Sequence, residues 1–573
     1  MIKRCLLSLL LLGNFSNFLR AQLPKLKFQQ NISLTFEQTI TAYQKADVAS
    51  PYMSLEIAGY SDAGNPIHLL IIDKQQQFKP NPSAKKAVWF ILNGIHPGES
   101  EGIDASVAFV SALAQNPNLI PDSVTIIIVP SYNVDGMRNR KHFTRANQNG
   151  PDEKGFRASA NNLDLNRDFI KADSKNTQVF YQIFQDWQPH VFLDTHTSNG
   201  ADYQYTITLI STQEQKLGGP AADFLYKKMN PFLFQNMKKK GLEMSPYVNV
   251  FSQSPDAQGF EVFVEGPKFS TGYTSLFACL GFVAETHMLK PFPDRVNATY
   301  ELLSSLLNFI KQNKQELVRT KQAQLLWMRE QKTYNSNFKV DRNSHKNIDF
   351  KGFEMELKPS KIGNYERDFY NRNKPYTKTI PYYDSCKANW QGSIPSYFVV
   401  PASWQKAIAL LKANQIEMMA LKTDTLMLVR TNYIDKIQYA NRPYEGHFVH
   451  SGIETKEQLM AVKFYKGDLI IPSQQNGIWY LMETLSAQTS DGFMAWNFFD
   501  PILNEKEGFS DYAFEEDAIE FLANDSLLQQ KFENWKTQYP EKTKSKFEVL
   551  GFIYKNSPYF EKEYLRFPVY TIE

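Results

Sequence analysis

Two histidines, two glutamates and a pair of arginines mark the chemistry open to this sequence. In ILNGIHPGES, His96 and Glu99 stand three positions apart, just after the apolar run 88–92 breaks at Asn93-Gly94. A histidine at a strand exit and a glutamate in the first turn of the next helix can converge on one point. Imidazole nitrogen and carboxylate oxygen at that spacing suit tetrahedral zinc. The pair alone equally describes a strand that ends in polar residues. A second apolar run, HVFLDTHTSNG, delivers His196 at its own exit. Two imidazoles and one carboxylate form a catalytic zinc donor set that leaves a fourth position for water. In GFRASANNLDLNRDF, Arg157, Asn166 and Arg167 place two guanidinium groups and an amide on an Asn-rich loop. Guanidinium grips a carboxylate bidentately, so this group suits a substrate ending in a free carboxylate, where a lone arginine would read as a surface ion pair. Glu285 ends the apolar run GFVAETHML, a costly place for a carboxylate unless it is paired or functional.

The elements that must hold these residues are short buried strands alternating with helices. AVWFILNG, VTIIIVPSYN, HVFLDTHTS and GFVAETHML read as strands; GIDASVAFVSALAQN and NTQVFYQIFQDW read as helices between them. Such alternation over about residues 42–325 predicts an α/β layer with a largely parallel, buried sheet. Ligands gather at the carboxyl ends of strands in such sheets, and each cluster sits at such an end or on a loop. A long helix, VNATYELLSSLLNFIKQNKQELVRTKQAQLLWMREQ, closes the unit. Beyond it the texture becomes strand-like, in FKGFEMELKPS and TLMLVRTNYIDKIQYA, with one amphipathic helix in SWQKAIALLKANQ. The stretch 336–573 therefore reads as a separate β-rich α+β region without a catalytic motif.

At 573 residues the chain exceeds one compact core, and 63 basic against 60 acidic residues leave a net charge of only +3. That balance calls for neither nucleic acid nor an anionic membrane as partner. MIKR followed by CLLSLLLLGNF and a polar end at Ala21 reads as a signal peptide over 1–21, too short to span a bilayer. A secreted or periplasmic location follows as an expectation. Cys279 and Cys386 then remain, able to pair or to stay as buried thiols, and too few for a thiolate zinc cluster.

Taken in order, the clusters resemble the zinc carboxypeptidase family, metallo-exopeptidases built on an α/β/α sandwich. His96/Glu99, Arg157, Asp164-Leu165-Asn166-Arg167, His196 and Glu285 follow the family's sequence of elements, and YNVDG at 132–136 looks like its Asn-Pro-Asp-Gly turn with Val for Pro. The resemblance covers about residues 45–315, within a catalytic unit assigned to 22–330. It implies that His96, Glu99 and His196 hold one Zn²⁺ and that Asp164 orients the His96 ring. Arg157 would stabilise the oxyanion, while Asn166 and Arg167 would grip the terminal carboxylate of a peptide. Glu285 would be general base towards the water that zinc activates, then acid towards the leaving amine. The family's mobile tyrosine corresponds to Tyr273, with a shorter gap to Glu285 than is usual, or to Tyr247. His287 reads as structural, and Glu101 is a second carboxylate near the metal corner that does not fit the HxxE pattern.

The run PKFSTGYTSL…VAETHMLKPF looks like a bacterial branch of the family with a long C-terminal extension. The function implied is a secreted zinc metallocarboxypeptidase acting on peptides with a free C-terminal carboxylate. Two rivals stay open: the same machinery acting on cell-wall peptides or other amides, and a non-catalytic peptide-binding relative. Loss of a ligand or of the final glutamate would mark the latter, and both are present.

Overall fold

The strands that carry the motifs are β1 (Met53–Tyr60), β2 (Pro66–Asp73), β3 (Ala87–Asn93), β4 (Val124–Val129), β5 (Val191–Ser198), β6 (Ile207–Ser211), β7 (Ser245–Pro246), β8 (Phe260–Glu261) and β9 (Leu280–His287). All but β8 join one sheet in the order β1-β2-β4-β3-β5-β9-β6-β7. The central strands β4, β3, β5 and β9 are parallel, and antiparallel pairings join β1 to β2, β2 to β4 and β6 to β9. The expected α/β fold with a mixed, largely parallel sheet is thus present. The computed structural model describes residues 26–81, 85–256 and 258–573, so the expected signal peptide and Cys5 lie outside the described residues.

Parallel strands covered on both faces are apolar throughout, and β3 shows the division of labour. Trp89 and Ile91 enter the core on one face, Phe90 and Leu92 that on the other. Helices Glu101–Gln115 and Phe292–Glu330 cover the Trp89 face, and helix Lys175–Trp187 covers the Phe90 face. The long closing helix buries Val296, Thr299, Leu303, Leu306, Ile310 and Leu317, a stripe at helical spacing, with Asp294 in its first turn and Arg329 in its last to suit its dipole. Among the described residues no helix is long and apolar enough to cross a membrane.

The chain beyond the long helix is β-rich, as expected, and becomes helical over Asp511–Asn524, Ser526–Gln538 and Lys546–Lys555. Its two long hairpins are Lys346–Pro359 with Glu366–Tyr383 and Thr425–Gln438 with Ser451–Phe464. This region is bound tightly to the first. Strand Thr333–Val340 runs across the expected boundary, β8 pairs with Glu366–Tyr383, and Leu411, Tyr480 and Phe493 share one apolar core with Tyr273 and Phe277. Cys279 and Cys386 are both buried and free.

Candidate metal centre and substrate cavity

The carboxyl ends of β3, β5 and β9 meet at one point. After β3 the chain turns at Gly94, whose φ of 69° favours glycine, and brings His96 and Glu99 back over the sheet edge. Helix Glu101–Gln115 starts hard against β5: a Cβ on Gly102 would lie 1.9 Å from Thr195 Oγ1. That close approach sets Glu99 beside the end of β5. His196 and Glu285 are register partners on β5 and β9.

His96 Nδ1 lies 3.1 Å from His196 Nδ1 and 3.2 Å from Glu99 Oε1, while His196 Nδ1 lies 3.0 Å from Glu99 Oε2. All three residues are buried. The far nitrogen of each ring meets a carboxylate: His96 Nε2 is 2.9 Å from Asp164 Oδ1, and His196 Nε2 is 2.9 Å from Asp194 Oδ2. With Asp164 accepting from His96 Nε2 and Asp194 lying 2.9 Å from His196 Nε2, the Nδ1 atoms of both rings face the Glu99 carboxylate. Such a cluster needs positive charge at its centre, and two nitrogens with one carboxylate are a zinc donor set, so these residues fit the ion.

The electrostatics agree. Burial raises the Glu99 carboxyl, but Arg145, His96 and His196 together hold it well below the usual range. Burial disfavours a charged His196, yet Asp194 and Glu99 push it well above its ordinary value. For Asp164, burial is likewise outweighed by His96, Arg157 and Arg167, and its pKa falls far below normal. Glu285 is the opposite case. Burial pushes it up to about 8, opposed by His196 and reinforced by Glu99, Glu265 and Asp194, and its Oε2 is buried without a hydrogen-bond partner.

A cavity of about 400 Å³ opens from this cluster, and Arg157, Asn166 and Arg167 line it together with the metal group and Glu285. Arg157 Nε donates to Asp164 Oδ2 at 3.0 Å, and its Nη1 lies 3.7 Å from Glu99. Arg167 lies over the Phe269 ring, 4.4 Å from its centroid, and donates from Nη1 to the Asn166 carbonyl. Eight of the nine residues singled out from the sequence therefore gather around one space.

The ninth does not. Tyr273 is fully buried in the apolar core, stacked on Tyr181 at 5.0 Å and bonded through its hydroxyl to Asn414 and Gln185. Its assignment to substrate binding is corrected: helix Ser270–Thr274 turns the ring inward, under the sheet, and Tyr247 is the tyrosine in the cavity. Glu101 is engaged by buried Arg295 and by Thr197, and His287 by the Ala201 carbonyl at 2.8 Å, so both serve the scaffold.

Four groups lie beyond the residues singled out from the sequence: Arg145 and Glu265 line the cavity, while Asp194 and Tyr444 stand behind residues that do. Asp194 stands two residues before His196, hence on the same strand face, a period-2 signal open to inspection. Arg145 Nη1 sits 2.8 Å from Glu99 Oε1. Glu265 lines the cavity floor with burial raising its carboxyl to about 7. Tyr444, from the β-rich region, accepts from Arg167 Nε at 2.9 Å.

Residues 42–218 match the zinc carboxypeptidase family. The matched stretch contains the metal group, Arg157 and Asp164 to Arg167, and ends before Glu285. The chain is similar to "Probable carboxypeptidase 2" of Trichophyton verrucosum, 19% identical over 449 residues, covering 75% of this chain and 80% of that protein. The protein of the same name from Arthroderma benhamiae is 19% identical over 454 residues, covering 75% and 79%. Among solved structures, a metallo-carboxypeptidase from Burkholderia cenocepacia is 17% identical, covers 49% of this chain and 70% of its own, and gives a TM-score of 0.36.

Proposed function

We propose, on the premise that residues 42–218 belong to the zinc carboxypeptidase family, that this chain is a secreted metallocarboxypeptidase removing single C-terminal residues from peptides. The observation that carries the reading is the convergence of His96, Glu99 and His196 beside Glu285, at the base of a cavity walled by three arginines. His96, Glu99 and His196 would hold the zinc ion, which would supply Lewis acidity and activate a water for attack. Glu285, buried beside the metal group with Oε2 free of other partners, is placed to take a proton from the attacking water on its carboxylate and to return it to the leaving amine. Arg157 donates to the scissile carbonyl oxygen as negative charge develops there. Asn166 and Arg167 hold the terminal carboxylate, which fixes the scissile bond one residue from the chain end. Secretion is supported by the apolar N-terminal segment, and a bacterial branch by the PKFSTGYTSL run, although both named relatives are fungal.

The test is product analysis by mass spectrometry. Zinc-loaded protein is given a free-acid peptide, its C-terminally amidated twin and a cell-wall stem peptide. Stepwise loss of C-terminal residues from the free acid, with the amide at least about a hundredfold slower, is expected from losing a charged bidentate contact. Equal cleavage of the amide, or turnover of the stem peptide alone, would defeat the assignment.

A further inference from the structure

The carboxylate side of the cavity is not built from the catalytic unit alone. Between strands Thr425–Gln438 and Ser451–Phe464 the chain makes the tight turn Tyr444-Glu445-Gly446-His447. Tyr444 and His447 exchange backbone bonds of 2.8 and 3.0 Å, and Glu445 and Gly446 have φ of 49° and 81°. Two left-handed central residues define a turn that favours Asn, Asp or Gly, and a glutamate in the first place is strained. Such strain persists where surrounding contacts fix it, and it clusters at functional sites.

The contacts that fix this turn reach across to the catalytic unit. Glu445 Oε2 accepts the backbone N–H of Asp164 at 2.8 Å, Tyr444 Oη accepts Arg167 Nε–H at 2.9 Å, and His447 Nε2 lies 2.7 Å from Asp173 Oδ2. Beneath them the buried Trp496 stacks under Tyr444 and meets His447 edge-on. One turn thus bonds, through three side chains, to the segment that carries Asp164, Asn166 and Arg167.

We propose that Tyr444 is a positioning residue for substrate binding, acting through Arg167. A guanidinium can grip a carboxylate along its Nε–Nη edge or along its Nη–Nη edge. Tyr444 occupies Nε, one N–H of Nη1 goes to the Asn166 carbonyl and Phe269 supports the face, so Nη2 and the second N–H of Nη1 are left for the substrate. The β-rich region thereby completes the carboxylate clamp from about 280 residues away in sequence. The inference rests on the assignment of Arg167 to the substrate carboxylate.

The test uses the zinc-loaded full chain, with Tyr444→Phe, Arg167→Gln and the double variant, on the free-acid and amidated peptides. Tyr444→Phe is expected to raise KM for the free acid about tenfold, the loss of one hydrogen bond to a charged group, with kcat within about twofold. KM for the amide, zinc content and Tm should stay unchanged, and the double variant should be no worse than Arg167→Gln alone. If Arg167→Gln raises KM and Tyr444→Phe does not, the inference fails while the carboxylate assignment stands. If Arg167→Gln leaves free-acid KM untouched, the assignment itself fails. Parallel losses of Tm and of activity on both peptides would make Tyr444 a packing residue and overturn the proposal.

Discussion

His96 and His196 face each other Nδ1 to Nδ1 at 3.1 Å, and each turns its other nitrogen to a buried or nearly buried aspartate. The two rings come from strand ends a hundred residues apart, yet they are held by the same device. An aspartate that accepts the Nε2 proton fixes the tautomer, so that the lone pair points at the shared centre.

Removing that acceptor should weaken metal binding without removing a ligand. Asp194 also accepts from Ser270 Oγ at 2.7 Å, so it is itself held in place. Asp194→Asn can offer an amide N–H where the ring needs an acceptor, and zinc affinity should fall by roughly 10–100-fold. Competition with a chelator of known affinity measures it. An unchanged dissociation constant would mean that the ring is oriented by something else.

Glu285 separates chemistry from binding. Its Oε2 is buried without a partner, and it is not one of the metal group. Glu285→Gln keeps shape and removes basicity, so zinc content and free-acid KM should hold while kcat falls by about 10²–10⁴-fold. Steady-state kinetics with metal analysis on the same samples decides it. Turnover within tenfold of the parent enzyme would take the proton-transfer role away from this residue.

What could be seen in the sequence was whatever local pattern encodes. His96, Glu99, His196 and Glu285 sit where apolar runs stop, and a buried parallel sheet brings such stops to one edge. Asp194 was equally legible, two residues from His196, but it reads as one more polar residue at a strand end until the ring's need for an acceptor is considered. Tyr273 shows the reverse error: a tyrosine before the last glutamate looks functional, while the short helix that carries it points the ring into the core. Tyr444 and Glu445 had no signal at all. Their meaning lies in long-range packing of the Thr425–Gln438 hairpin against the Asp164 segment, and neither periodicity nor spacing records contacts of that kind.

The stability of the fold should depend on pH through Asp104, a group outside the reaction. It is fully buried in the first turn of helix Glu101–Gln115, with Oδ1 unpartnered and Oδ2 accepting from Leu34 N–H at 3.4 Å. Burial, helped by Glu101 and opposed by the Leu34 bond and Arg140, raises its carboxyl to about 8. An unfolded aspartate titrates near 3.9. Between those values the folded chain keeps a proton that the unfolded chain releases, so the unfolded state binds fewer protons and stability falls as pH rises. The contribution is fully present below about pH 4 and is lost progressively up to about pH 8, with a limiting slope on the order of 1 kcal/mol per pH unit. Asp104→Asn mimics the neutral acid and removes this dependence. Thermal unfolding of the two zinc-loaded proteins at pH 5 and pH 9 should show the variant gaining on the parent at the higher pH. An identical difference in Tm at both pH values would place the Asp104 titration in its ordinary range and refute the argument.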